Sequence, residues 1–222
     1  MISWEGIDLI IGCLLGDGRL ECRSKNGTAR LRIHHADSQK DYVFWKYNLL
    51  RDICLQKPKA VSFFDKRYNK KLTSWFFHTK TNKRLGLLHK LFYRGNKKII
   101  PINIDRFITA TSLAVWIMDD GCFDKSGMIL NTQSFSLDEQ QILKIVLLKK
   151  FGIKSQVNKD RNNFRLRIPK ESLVILIKMI QSCIIPSMRY KLPPVTTDPR
   201  FNRGEIRGEI LNLNPESYAR YK

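Results

Sequence analysis

The chain has 222 residues, 43% of them hydrophobic and 27% charged, which supplies one large core or two small fused ones and excludes a disordered chain. Forty Lys and Arg against 20 Asp and Glu leave a formal charge of +20, spread along the sequence and not gathered in a tail. A fold that tolerates such self-repulsion points to a polyanionic partner, with nucleic acid ahead of a membrane surface or an acidic protein.

Five cysteines (Cys13, Cys22, Cys54, Cys122, Cys183) make an odd count without a CxxC pair. A disulfide framework or zinc ribbon is therefore not expected, and an intracellular, reducing compartment fits. The N-terminal stretch carries Glu5 and Asp8 among its apolar residues and does not read as a signal peptide. No apolar run reaches the roughly 20 residues that span a bilayer, so no membrane association is expected.

Taken in chain order, the elements form two copies of one pattern. Ile10-Ile-Gly-Cys-Leu-Leu-Gly-Asp17-Gly18 is an apolar helix end running into Asp-Gly, and Leu113-Ala-Val-Trp-Ile-Met-Asp-Asp120-Gly121 repeats it. A polar strand follows in each copy, Ala29–His35 and then Met128–Gln133. Ser38 with Asp41, and Ser136 with Glu139, predict capped helix starts ahead of apolar residues at helical spacing. Gly152 is expected to end the second of these helices. Strands are predicted over 58–66 and 72–79, then 153–159 and 163–168, and helices over 82–92 and 170–184. Each copy closes on a basic element before proline, Lys97-Lys98-Ile-Ile-Pro101 and Arg189-Tyr-Lys191-Leu-Pro193. The spacing between copies shrinks steadily along the chain, as shorter loops in the second copy would produce. The expected fold is thus α+β: two pseudo-symmetric αββαββα repeats over residues 1–104 and 105–195, with a C-terminal extension over 196–222.

A lone Asp-Gly is a common helix stop. Two of them at matching points of a strongly basic chain suggest chemistry. If the two helices pack side by side, Asp17 and Asp120 meet on a pseudo-twofold axis, where carboxylates suit a hard divalent cation beside a scissile phosphate. The backbone carbonyls of Gly16 and Asp119 are further candidate metal ligands. Gly12 and Gly16, four apart, leave room for close helix approach. Lys98 and Lys191 occupy matching points and can offset charge developing on phosphoryl oxygens, with Lys97 an alternative to Lys98. Gln133 is expected at a strand end facing the metal pocket, with His35 in its place in the first copy. Phe63, Phe64, Trp75, Phe76, Phe77 and Trp116 are expected in the core.

The strands alternate with period two: Arg30, Arg32 and His34 stand opposite Leu31 and Ile33, and Asn163, Arg165 and Arg167 opposite Phe164, Leu166 and Ile168. Lys154, Gln156 and Asn158 alternate in the same way. Such faces contact phosphates and base edges in a major groove that admits a two-stranded ribbon. The candidate DNA contacts are these nine residues with Arg19, Arg23, Lys59, Lys66, Arg67, Lys71, Lys125 and Arg161.

These residues together resemble the LAGLIDADG homing endonucleases in their monomeric, two-motif, intron-encoded form. The likeness runs from about residue 5 to 194 and is carried by both Asp-Gly motifs, by Leu130-Asn-Thr-Gln-Ser-Phe135 and by Ile184–Pro193. It implies a saddle of two antiparallel sheets with the motif helices at the central interface. It further implies Asp17 and Asp120 on two or three Mg²⁺ ions, replaceable by Mn²⁺, with Lys98 and Lys191 assisting. The activity implied is a double-strand break in a long, asymmetric DNA site that promotes intron or intein mobility, in an organelle if the host is eukaryotic. An RNA maturase of the same fold, binding its host intron, is the alternative, and a DNA-binding regulator a weaker one. Three departures stand out. Val115 and Asp119 replace Gly12 and Gly16 in the second motif, His34-His35 replaces the usual amide pocket residue, and Lys97 competes with Lys98.

Overall fold

The computed structural model describes residues 2–22, 27–67, 69–124 and 127–193, and residues 1–192 form one compact unit. The predicted extension over 196–222, with Arg23 and Lys125, lies outside the described residues.

The first repeat is α1 (Trp4–Leu15), β1 (Arg19–Glu21), β2 (Arg30–Ala36), α2 (Lys40–Leu50), β3 (Lys59–Asp65), β4 (Lys70–His78) and α3 (Lys83–Phe92). A short hairpin, β5 (Tyr93–Arg94) and β6 (Lys97–Lys98), follows it, turning at Gly95 with φ +58°. The second repeat is α4 (Ala110–Asp120), β7 (Gly121–Asp124), β8 (Gly127–Leu130), α5 (Leu137–Phe151), β9 (Gln156–Asp160), β10 (Asn163–Pro169) and α6 (Lys170–Ile180), closed by a 3-10 turn over Pro186–Lys191. Both main sheets are antiparallel and have the same strand order, β1-β2-β4-β3 and β7-β8-β10-β9. The fold is the expected α+β saddle with the motif helices α1 and α4 packed together at its centre.

Local chemistry sets the element ends. Ser3 accepts from the Gly6 amide, Asn82 from Leu85, and Ser136 and Glu139 form a reciprocal capping box. Gly152 ends α5 in the left-handed region at φ +68°. The box expected from Ser38 and Asp41 does not form, because Asp37–Gln39 winds into a 3-10 turn and α2 starts at Lys40 without a side-chain cap. Thr109 and Ser112 cap α4 instead, a pair the repeat pattern did not mark. The helix predicted over 170–184 ends at Ile180.

Leu31, Ile33 and Phe77 in the first sheet, and Met128, Leu130, Leu166 and Ile168 in the second, bury their side chains against the helices, as period-two alternation requires. Of the six aromatics expected in the core, Phe77 and Trp116 are buried and Trp75 and Phe76 partly so. Phe64 is 59% exposed because the β3–β4 hairpin extends past the helices that would cover it, and Phe63 is 48% exposed because register puts it on the face turned away from them.

Candidate active site

The site is built where α1 and α4 end. The helices approach so closely that a Cβ on Gly12 would sit 2.5 Å from Val115 Cβ and from the Ser112 carbonyl oxygen. One on Gly16 would sit 2.5 Å from Asp119 Cβ. Glycines on α1 thus accept larger side chains from α4, and the Asp17 amide donates to Asp119 Oδ2 at 3.1 Å. The Asp-Gly ends of both motifs converge on this seam.

Asp17 keeps half of its side chain exposed. Burial and the neighbouring Asp119 raise its pKa. Asp120 is pushed up to about 7 by burial, then by Asp17 and Asp119. Two carboxylates sharing one field is the electrostatic condition that a bound divalent cation relieves.

Two lysines flank them symmetrically. Lys98 Nζ donates to the Gly16 carbonyl at 2.6 Å, and Lys191 Nζ to those of Asp119 at 3.3 Å and Gly121 at 3.0 Å. Gly16 and Asp119 hold matching positions, so the amines cap equivalent helix ends while their charge stays beside the acids. Lys98 and not Lys97 makes this contact; Lys97 is exposed. Burial lowers the Lys98 pKa against the pull of Asp120, Asp119 and Asp17.

Beneath the first half lies a buried polar cluster that reading the sequence missed. Asp119 Oδ1 accepts from Lys46 Nζ at 2.6 Å and from the Tyr42 hydroxyl at 2.8 Å, and Lys46 also reaches His35 Nε2 at 3.0 Å. Burial alone would raise the Asp119 carboxyl, but Lys46 holds it below its ordinary value. Burial likewise opposes the charge on Lys46, which Asp119 more than offsets. Burial, then Lys46, presses His35 down to about 3, so its ring is neutral beside Asp17, 3.8 Å away. A lysine inside an apolar helix looks like a surface residue in sequence. The available signal was its spacing, one turn beyond the inward-facing Tyr42, together with an acid at the position where the first motif has Gly16.

Among the described residues, the second half has a neutral buried pair, Thr132 with Gln140, where the first has this ionic cluster. Register shows why the expectation for Gln133 fails. Gly121 pairs with Leu130 and Arg19 with Arg32, so Thr132 and not Gln133 matches His35. Thr132 is buried and donates to Gln140 Oε1 at 2.9 Å. Gln133 lies in the turn past β8 and donates to Asp160 Oδ2 at 2.8 Å. Asn131 reaches the site instead, its side-chain amide donating to the Asp120 carbonyl at 3.0 Å.

Beside Asp17 opens a pocket of about 390 Å³ lined by Arg19, Arg32, His34, His35, Ala36 and Gln39. From it the candidate DNA contacts fan out along the sheet faces away from the helices. Arg19, Arg30, Arg32, His34 and Lys59 share one face of the first sheet by register, with Arg30 held to Glu21 at 2.7 Å. Gln156, Asn158, Asn163, Arg165 and Arg167 share one face of the second, and Lys154 just precedes it. Lys66, Arg67 and Arg161 sit in hairpin turns, and Arg67 folds back onto Asp65 at 2.7 Å. Lys71 does not join the group: it pairs with Phe64, and alternation puts both on the helix side of the sheet.

Residues 7–176 match the profile of the LAGLIDADG DNA endonuclease family. DNA endonuclease I-ChuI of Chlamydomonas applanata is 31% identical over 83% of this chain and 93% of its own length. The cytochrome b mRNA maturase bI2 of Saccharomyces cerevisiae is 32% identical over 84% of this chain, which spans about half (47%) of that relative. Among solved structures, homing endonuclease I-WcaI bound to its DNA recognition sequence superposes with a TM-score of 0.81 at 26% identity, covering 87% of this chain and 88% of that one. I-DmoI, at 16% identity and a TM-score of 0.51, shares the fold. On the profile match and on these similarities over most of its length, the chain belongs to the LAGLIDADG DNA endonuclease family.

Proposed function

We propose that this protein cuts both strands of double-stranded DNA at a long, asymmetric site by divalent-metal-dependent phosphodiester hydrolysis, acting as a monomer and promoting mobility of the intron or intein that encodes it. The observation that carries the proposal is the convergence of Asp17 and Asp120 at the ends of two packed helices, flanked by Lys98 and Lys191 and bordered by two basic sheet faces. Residues 1–104 and 105–195 serve as the two repeats and 196–222 as an extension, with one half-site read by each sheet.

The donor set fits Mg²⁺, which takes one or two carboxylates and keeps water and phosphate oxygens as its other ligands. Asp17 and Asp120 would hold two or three such ions, with Mn²⁺ as a substitute, and the Gly16 and Asp119 carbonyls, which accept from Lys98 and Lys191, would be further oxygen ligands. The metal, when bound, supplies Lewis-acid activation of phosphate and of the attacking water. The chain's own groups do the rest. Arg19 and Arg32 bind the backbone beside Asp17, and Lys98 and Lys191 place positive charge where the phosphoryl oxygens gain negative charge. An organellar genome is the proposed setting.

A maturase reading, binding host intron RNA, is supported by the name of the yeast relative. A supercoiled plasmid carrying the uninterrupted insertion site separates the two. Linear product with Mg²⁺, absent with EDTA and in Asp17→Asn or Asp120→Asn, supports cutting. No cut together with faster intron splicing overturns it.

A further inference from the structure

The two sheets offer the same strand order to a duplex but different chemistry. On the second sheet, the face away from the helices carries Gln156, Asn158, Asn163, Arg165 and Arg167, side chains that donate and accept. On the first sheet, the matching outer part of the face sets four apolar side chains among Lys59, Asp65, Lys70 and Ser74. Register sets Val61 opposite Ser74, Phe63 opposite Leu72, and Phe76 between His34 and Lys59. His34 confirms the side: its Nε2 lies 2.7 Å from Ser74 Oγ, and its ring meets Phe76 edge-on. Val61 is 41% and Phe63 48% exposed, on a face that also carries Arg32, Lys59 and Lys70.

Apolar side chains left open on a basic surface mark a contact site, and here the basic neighbours name the partner's charge. Val61, Phe63 and Leu72 have no side-chain hydrogen-bonding atoms, so they cannot read donors or acceptors. The apolar feature a duplex presents in its major groove is the C5-methyl of thymine. We infer that Val61, Phe63, Leu72 and Phe76 read thymine methyl groups in the outer part of one half-site, while the second sheet reads its half by hydrogen bonds. This rests on the DNA-cutting function proposed above and adds the base class that one sheet selects.

The test is binding, not cutting. A duplex is selected from a random pool by the full chain in Ca²⁺ buffer, and deoxyuridine then replaces thymidine in one half at a time, removing the methyl but keeping the base pair. One half-site loses affinity by about fourfold per contacted methyl, and the other is unaffected. Val61→Thr with Phe63→Ser abolishes this dependence, and Phe63→Leu retains it. Both sites are exposed, and an unchanged thermal midpoint confirms the fold. Equal loss from both halves, no loss, or a loss that persists in the double variant overturns the inference while leaving DNA recognition intact. Self-association of the wild type that Phe63→Ser removes would assign the face to a second copy and also overturn it. Failure to select any duplex would overturn the DNA reading and the inference with it.

Discussion

The ends of α1 and α4 carry the same Asp-Gly pair and the same lysine cap, yet they are set in different surroundings. At the α1 end the residue before the acid is Gly16, and everything beneath Asp17 is supplied from elsewhere: Asp119 from the opposite helix, then Lys46, Tyr42 and His35. At the α4 end, Asp120 sits deeper and is served by Asn131, while Thr132 and Gln140 close the layer below without a charge. Matching chemistry at the surface can therefore rest on unlike foundations, one ionic and one neutral. The half that looks simpler in sequence is the half that borrows more.

The strongest test removes the symmetric part. Asp17→Asn and Asp120→Asn should each lower double-strand cleavage by about a hundredfold or more while leaving metal-free DNA binding in place. A residual single-strand nick that differs between the two variants would show which acid serves which strand.

The next attacks the unlike foundation. Lys46→Met leaves Asp119 charged and unpaired in the interior, and denaturant unfolding should show a loss of about 3–5 kcal/mol. Adding Asp119→Leu should recover most of it, and Tyr42→Phe alone should cost about 1–2 kcal/mol. In the second half Leu143 fills the buried place that Lys46 holds in the first, and Lys144→Met, one residue on along α5 and only partly buried, should lie within about 0.5 kcal/mol of the wild type. If both lysine variants cost the same, the contrast between halves fails.

The seam itself comes third. Gly12→Ala forces a methyl onto Val115 and the Ser112 carbonyl and should destabilise by about 1–3 kcal/mol, read by thermal unfolding. Pairing it with Val115→Ala should relieve part of that cost, although the backbone contact remains.

The smallest effect concerns pH. The Asp120 pKa is raised by folding, so its contribution to the stability of the metal-free protein is full in acid, below the ordinary carboxylate value, and is lost as pH rises through about 7. Divalent-metal affinity should move the opposite way and strengthen across the same window, since the ligand must be ionised. Asp120→Asn should flatten both profiles, measured by thermal midpoint with and without metal.

Much of this could be read from the chain because symmetry and periodicity are local signals. The two Asp-Gly ends, the Lys98 and Lys191 positions and the alternating strands each repeat, and the structure brings them to matching places. What could not be read depends on register and on cover. The place of Thr132 follows only from how β7 pairs with β8, the exposure of Phe63 from the register of β3 on β4, and that of Phe64 from where the helices stop. Lys46 was hidden because its partner lies on another helix 73 residues away. Ser38 misled because a 3-10 turn took the residues a cap would use.

The unequal seam between α1 and α4 also decides which surfaces can pair. Two copies of the first half would set glycine against glycine, and Lys46 would lose the carboxylate it meets on α4. Two copies of the second would drive Val115 into Val115 and bury a pair of acids without a counter-ion. The packing therefore specifies unlike partners: small residues on one side of the seam meet larger ones on the other, and the buried amine of one half is neutralised only by the acid of the other.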